Sequence, residues 1–236
     1  MLLITMKFRQ RDLPYSYQQH RMPLSRSSKH MKILLSVMAT ILAICFATTT
    51  TIAAEPIVGL PCENCELVFQ GMPDSISSTS RIVPLNEPGE KMRIEGIVRD
   101  LSGKPVSGII VYAYHTDSRG LYPTDSTSVR HGKLRGWAKS DAKGYYRFDT
   151  IRPAGYPNST IPQHVHMHVI EPGRCTYYID DIMFKDDPRL TAAIEKQFDF
   201  ERGGNGFVKP TKDGSGTWIA VRDIVLGKSI SGYPPR

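Results

Sequence analysis

No internal repeat and no low-complexity tract runs through the chain, and no second cysteine pair stands beside Cys62 and Cys65 in "CENC". Without that second pair a structural zinc site has no support, and without a βαβ context the spacing does not make a thioredoxin-like redox centre. A Glu-bearing helical zinc motif is also missing. An excess of charge of either sign is lacking outside the first quarter of the chain. The formal net charge is +7, but residues 1–54 carry seven Lys/Arg (Lys7, Arg9, Arg11, Arg21, Arg26, Lys29, Lys32) against one acid, Asp12. The remainder is close to neutral, so it offers no polyanion-binding surface and nucleic acid is not an expected partner.

The basic leader runs into the apolar "ILLSVMATILAICFA" and then "TTTTIAAEP", the order of a secretory signal peptide with cleavage near Ala53 or Ala54. Residues 1–54 are therefore expected to be a leader, with Met31 an alternative start. The apolar run is short for a membrane-spanning helix. Ile44, ahead of Cys45, stands where a lipoprotein signal wants a small residue, so the expectation is export to the periplasm or beyond, without a lipid anchor or membrane attachment after cleavage. Cys62, Cys65 and Cys175 then remain, and an oxidising compartment favours one disulfide and one free thiol, with the pairing open.

From Met92 onward short Ile/Val/Tyr runs alternate with Gly, Pro, Asp and Ser clusters: "MRIEGIVRD", "LSGKP", "VSGIIVYAYHTD", "GWAKS", "DAKG", "YYRFDTI", "HVHMHVI" and a closing pair in "GTWIAVRDIVLG". This is the text of antiparallel strands and tight turns, and it predicts a mainly β protein, an antiparallel sandwich over residues 91–236. Residues 55–90 read as an extended N-terminal arm. One short helix is expected in "DDPRLTAAIEKQF", capped by Asp187, with Pro188 in its first turn and Leu190, Ile194 and Phe198 on one face.

The stretch "YPNSTIPQHVHMHV" places His164, His166 and His168 on one face of a strand, with Val165 and Met167 opposite. Alternate residues stand roughly 6.7 Å apart at Cα, close enough for two imidazoles to share an ion, whereas the outer two stand roughly 13 Å apart. Two ligands from this strand are expected, with the third nearby in support. No carboxylate lies within the strand, which weakens a two-His-one-carboxylate ferrous site. Tyrosine is what stands close: Tyr156 before the histidines, and Tyr122 after the "DSRG" turn. A phenol with an ordinary pKa near 10 gives up its proton at neutral pH only to a strongly acidic cation, which points towards Fe(III).

The ordered pieces "IEGIVRDLSGKPVSGIIVYAYHTDSRGLY", "LRGWAKSDAKGYYRFDTIRPAGYP" and "PQHVHMHV" resemble the intradiol ring-cleavage dioxygenases, the family of protocatechuate 3,4-dioxygenase and catechol 1,2-dioxygenase, over residues 92–170. The resemblance implies a β-sandwich holding a non-haem Fe(III) through two tyrosinates and two histidines. By motif these are Tyr122 in "GLY", Tyr156 in "GYP", and His164 and His166. It also implies that a catechol-type substrate and O2 are the partners, that Tyr156 is the tyrosinate displaced by substrate, and that Tyr122 and Tyr156 are catalytic. Self-association into a homo-oligomer is left open.

One position departs from the family. Many members read Arg-Pro-x-His-x-His, with the arginine near the bound ring, but here Ile161 precedes Pro162. The nearest basic residues by sequence are Arg135, Arg152 and His168. The loop from Tyr156 to His164 is also short, which together with export suggests an extracytoplasmic aromatic or polyphenol as substrate. His115 is read mainly as a strand-end residue that could reach substrate. Tyr145, Tyr146, Tyr177 and Tyr178 are read as one packed and one exposed ring per pair, and Asp180, Asp181, Asp186 and Asp187 as capping and solvated groups. Two rival readings remain: a transthyretin-like or carboxypeptidase-regulatory-like binding module without chemistry, and a copper or zinc binder using all three histidines.

Overall fold

The computed structural model describes residues 55–59, 62, 64–124 and 130–235; the leader expected over 1–54 lies outside the described residues. Strand β2 (Lys91–Arg99) shows how the sandwich is built: Met92, Ile94 and Val98 are buried on alternate positions. Gly96 continues that buried series because a Cβ there would collide with the Arg222 carbonyl.

One sheet runs β1 (Thr79–Arg81), β5 (Tyr145–Ile151), β2, β10 (Trp218–Val221), β9 (Thr211–Lys212), with β11 (Ile224–Val225) also on β2. The other runs β4 (Arg135–Lys139), β3 (Ile110–Tyr114), β6 (His164–Glu171), β7 (Cys175–Phe184), β8 (Phe207–Val208). The central pairs β2/β5, β3/β4, β3/β6 and β6/β7 are antiparallel. The pairings of β1, β8, β10 and β11 with longer strands are parallel, so the expected closing pair is no hairpin: β10 and β11 each lie along β2.

Ile94, Val98, Tyr146 and Phe148 of the first sheet pack with Val111, Ala113, Val165, Met167 and Val169 of the second in one core. Each such fully buried aliphatic side chain stabilises the fold by roughly 1.5–3 kcal/mol. The opposite face of the second sheet carries Tyr112, Tyr114 and the histidines. A short 3-10 helix of the arm, Cys65–Phe69, covers part of that face, where Val68 packs with Ile110, Tyr112 and Ile170. Cys62 and Cys65 are disulfide-bonded and Cys175 is a buried free thiol, its pKa pushed up to about 11 by burial.

The helix is shorter than the sequence suggests. Helix α1 spans Ala192–Phe198 and is capped by Thr191, whose side chain accepts from the Ile194 amide. Asp187 does not cap it, because its carboxylate is engaged elsewhere: it accepts from the Gln163 amide at 2.6 Å and the Arg189 amide at 2.9 Å. It thereby ties the end of β7 to the approach to β6, and Pro188 and Leu190 belong to that turn.

Candidate metal centre

Tyr122 and Tyr156 sit in the loops that follow β3 and β5, and both phenols reach back over His164 and His166 on β6. Gly120 makes that approach possible. It adopts φ +80°, and a Cβ there would run into the Gly155 carbonyl, so the two tyrosine loops touch backbone to backbone.

The four side-chain tips converge. The phenol oxygens of Tyr122 and Tyr156 are 2.6 Å apart. Tyr156 Oη is 3.1 Å from His164 Nε2 and 3.2 Å from His166 Nε2, and Tyr122 Oη is 2.9 Å from His166 Nε2. The tautomers of both imidazoles follow from their other nitrogens. His164 Nδ1 donates to the Pro162 carbonyl at 2.7 Å, and His166 Nδ1 donates to the Asp181 carboxylate at 3.1 Å. Each Nε2 therefore turns a bare lone pair inward, the orientation that metal-binding histidines take.

That geometry leaves a proton shortage. The four inward contacts have only two hydrogens between them, one on each phenol, so two of the contacts set lone pair against lone pair. A cation at the centre resolves this. Ligands bound at about 2.0–2.1 Å stand roughly 2.8–3.4 Å from one another, which is close to the separations found. Burial pushes the Tyr122 phenol up, with Tyr156 beside it adding to the effect, and burial likewise raises Tyr156. Neither phenol ionises unaided near neutral pH, so the donor set suits a strongly Lewis-acidic ion. Burial also lowers the His164 pKa and keeps that imidazole neutral and ligand-ready.

Asp181 was hidden from sequence reading by a β-bulge. Val165 pairs with Ile182 and Met167 with Ile179, so Asp180 and Asp181 together face His166. Strict alternation from Tyr178 would aim Asp180 at the histidine face. The extra residue aims Asp181 there instead, and Asp180 turns to Arg202 at 2.8 Å. Burial opposes the Asp181 charge, but His166 and the other imidazoles outweigh it and hold the carboxyl below its usual range.

The other expected residues are dispersed. His168 faces the same cavity, but its Nδ1 is directed at Cys65 Sγ, 3.9 Å away, and its ring packs on Tyr112 and Tyr178, so the three histidines do not converge. His115 is fully buried: Nδ1 donates to the Thr116 carbonyl at 2.7 Å and Nε2 meets Thr150 Oγ1 at 2.6 Å, which leaves nothing for substrate. Arg135 lies over Trp137 and beside Tyr112, and Arg152 forms a bidentate pair with Asp186; neither lines the cavity. Ile161 also stays off the cavity wall, its carbonyl facing Arg189 Nη1 at 3.5 Å.

The cavity, about 430 Å³, is walled by Tyr122, Tyr156, His166, His168, Tyr114 and His131, with Arg130, Cys62 and Tyr178 also contributing. Tyr114, His131, Arg130 and Tyr178 were not singled out in sequence as wall residues. Only the cross-strand register, which sets Tyr114 against His166 and Tyr112 against His168, reveals two of the rings beneath the histidines.

A β-sandwich that gathers two half-buried phenols and two imidazoles beside a cavity of about 430 Å³ defines a class by its donor set: mixed phenol and imidazole side chains converging where a cation could be held. A family model described as "Dioxygenase" matches residues 74–201, and the chain belongs to the intradiol ring-cleavage dioxygenase family. It is 33% identical over 101 residues to a catechol 1,2-dioxygenase of Pseudomonas sp., covering 36% of this chain and 33% of that one. It is 30% identical over 127 residues to the protocatechuate 3,4-dioxygenase beta chain of Burkholderia cepacia, covering 48% and 52%. The chain thus spans about a third to a half of the length of these relatives. Among solved structures, the dioxygenase domain of a carbohydrate-binding fusion from Streptomyces sp. SirexAA-E aligns with TM-score 0.52 at 23% identity, over 73% of this chain and 98% of that one. Catechol 1,2-dioxygenase of Acinetobacter sp. ADP1 aligns with TM-score 0.53 at 19% identity, over 87% and 72%. Both support the fold.

Proposed function

We propose that the protein is a non-haem Fe(III) enzyme that cleaves a catechol-type ring between its two hydroxyl-bearing carbons, using O2 and placing both oxygen atoms in the product. The observation that carries this is the convergence of Tyr122, Tyr156, His164 and His166 with two protons for four contacts. Bound Fe(III) would supply the Lewis acidity that ionises the phenols and the redox partner for an electron-rich ring.

The chain's own residues do the rest. Tyr122 and Tyr156 would hold the cation as phenolates, and Tyr156, in contact with all three other donors, would be the base placed to receive a catechol proton. His164 and His166 stay fixed, the first by a main-chain carbonyl and the second by Asp181. Tyr114, stacked on His166 at 4.5 Å, is the floor that keeps the imidazole from turning.

The binding-module reading is disfavoured, because a module without chemistry has no need of this donor set, and a three-histidine copper or zinc site is disfavoured by the direction of His168. The leader "ILLSVMATILAICFATTTTIAAEP" supports export, with an extracytoplasmic aromatic as substrate; a mature amino terminus found at Met1 or Met31 on the isolated protein would sink the export reading. For the chemistry, iron-loaded protein is expected to show a visible phenolate-to-iron charge-transfer band and to open a catechol ring. A protein that stays colourless after loading with Fe(III), and leaves catechol, protocatechuate and larger catechol-bearing phenolics intact, overturns the proposal.

A further inference from the structure

His168 has no place in the phenol–imidazole centre, and what it faces is sulfur. The residue is 4% exposed, and its Nδ1 is directed at Cys65 Sγ, 3.9 Å away, a weak partner for a buried polar nitrogen. Cys65 is itself 3% exposed and is disulfide-bonded to Cys62. The ligand atoms of Cys62, Cys65 and His168 all lie within 4.8 Å of one another. On a tetrahedral zinc ion two thiolates stand roughly 3.8 Å apart, and a thiolate stands roughly 3.6 Å from an imidazole nitrogen. The separation of Cys65 from His168 is already close to that. Cys-x-x-Cys is a spacing that wraps round a metal, and the second cysteine pair that the sequence lacks is replaced by a histidine brought in from β6.

Cys65 keeps its place without the bond to Cys62. It opens the 3-10 helix Cys65–Phe69, which is fixed to the second sheet by Val68, fully buried with Ile110, Tyr112 and Ile170, and by Trp137 Nε1 donating to the Val68 carbonyl at 2.7 Å. Opening the disulfide therefore leaves a thiol pair beside His168. We propose that Cys62, Cys65 and His168 form a second metal site, for a thiophilic cation such as Zn2+, which exists only in the reduced protein. The exchange balances: the disulfide takes two electrons and two protons from a small dithiol, which leaves as its own cyclic disulfide, and Zn2+ then displaces the two thiol protons. Cys62 and His168 both line the cavity, so the fourth position of the ion opens on it. The disulfide ties the arm only to itself, whereas the ion ties it to β6. None of this depends on what occupies the phenol–imidazole centre.

The test is binding of Co2+, a spectroscopic stand-in for Zn2+, to the full chain reduced by a phosphine, desalted and titrated under nitrogen. Protein with the disulfide intact is the blank, and it cancels cobalt held by the phenol–imidazole centre or by Cys175. The expected result is one equivalent of Co2+ with a near-ultraviolet thiolate-to-cobalt band in the reduced protein only, bleached by one equivalent of Zn2+. Cys62→Ser, Cys65→Ser and His168→Ala should each weaken binding by more than the roughly tenfold that loss of a mere supporting partner costs. His168→Ala keeps both thiols and so separates a three-ligand site from a bare cysteine pair. Reduced wild type without the band overturns the proposal before any variant is made. An equal band in the disulfide form overturns it too, as does a His168→Ala protein that falls short of the tenfold loss.

Discussion

Asp181→Asn isolates the contribution of a single hydrogen bond to metal affinity. The substitution keeps the shape of the side chain and an acceptor oxygen but removes the charge 3.1 Å from His166 Nδ1. His164 needs no such partner, since its Nδ1 is held at 2.7 Å by the Pro162 carbonyl, which no side-chain change removes. One of the two imidazoles is therefore locked by backbone and the other by a carboxylate. Loss of such a partner behind a metal-binding histidine typically costs 10–100-fold in affinity, about 1.4–2.8 kcal/mol. We expect Asp181→Asn to weaken iron binding by about that factor, measured by chelator competition followed through the visible band, with the unfolding midpoint of the metal-free protein little changed. Affinity within twofold of wild type, or an equal loss of metal-free stability, would refute the assignment of Asp181 as the residue that orients His166.

Tyr156→Phe should shift the charge-transfer band and abolish ring opening, whereas His168→Ala should leave the band largely in place, both read by absorption spectroscopy of loaded protein. Arg222→Met should destabilise the fold by about 1–3 kcal/mol in urea denaturation, because the buried guanidinium donates to the Gly203, Gly204 and Asp223 carbonyls and its loss removes the Gly204 carbonyl's donor, while Gly203 keeps the Val225 amide. His115 is held at about 4 by burial, below an ordinary value near 6.5, so the unfolded chain binds a proton there before the folded one does. Its contribution is complete above pH 6.5 and is lost as pH falls towards 4, at up to about 1.4 kcal/mol per pH unit. A His115→Gln variant should show a stability-versus-pH slope shallower by one proton across that window.

The convergence of Tyr122, Tyr156, His164 and His166 was legible because each part leaves a local mark: an alternating His-x-His strand, and two tyrosines beside turns that must fold over it. The sandwich was legible for the same reason, from period-two runs broken by turn residues. What escaped depends on partners far along the chain. Asp181 takes its direction from a one-residue bulge against β6, which no pattern within "YYIDDIMF" announces. The helix start moved because Asp187 spends its carboxylate on Gln163, a tertiary bond that outcompetes a local cap. His131, in a stretch without strand periodicity, enters the site through its stack on Tyr114 and its hydrogen bond with Tyr112.

The four donors come from three segments: the loop after β3, the loop after β5, and strand β6. A cation shared among them would fasten the two loops to the sheet, much as a rivet closes a seam. Taking the ion out should then free the loops around 117–124 and 152–163 while the sheets stay folded. Limited proteolysis of chelated protein would be expected to cut there first, so that a chain deprived of such a cation would be marked for removal before it unfolds.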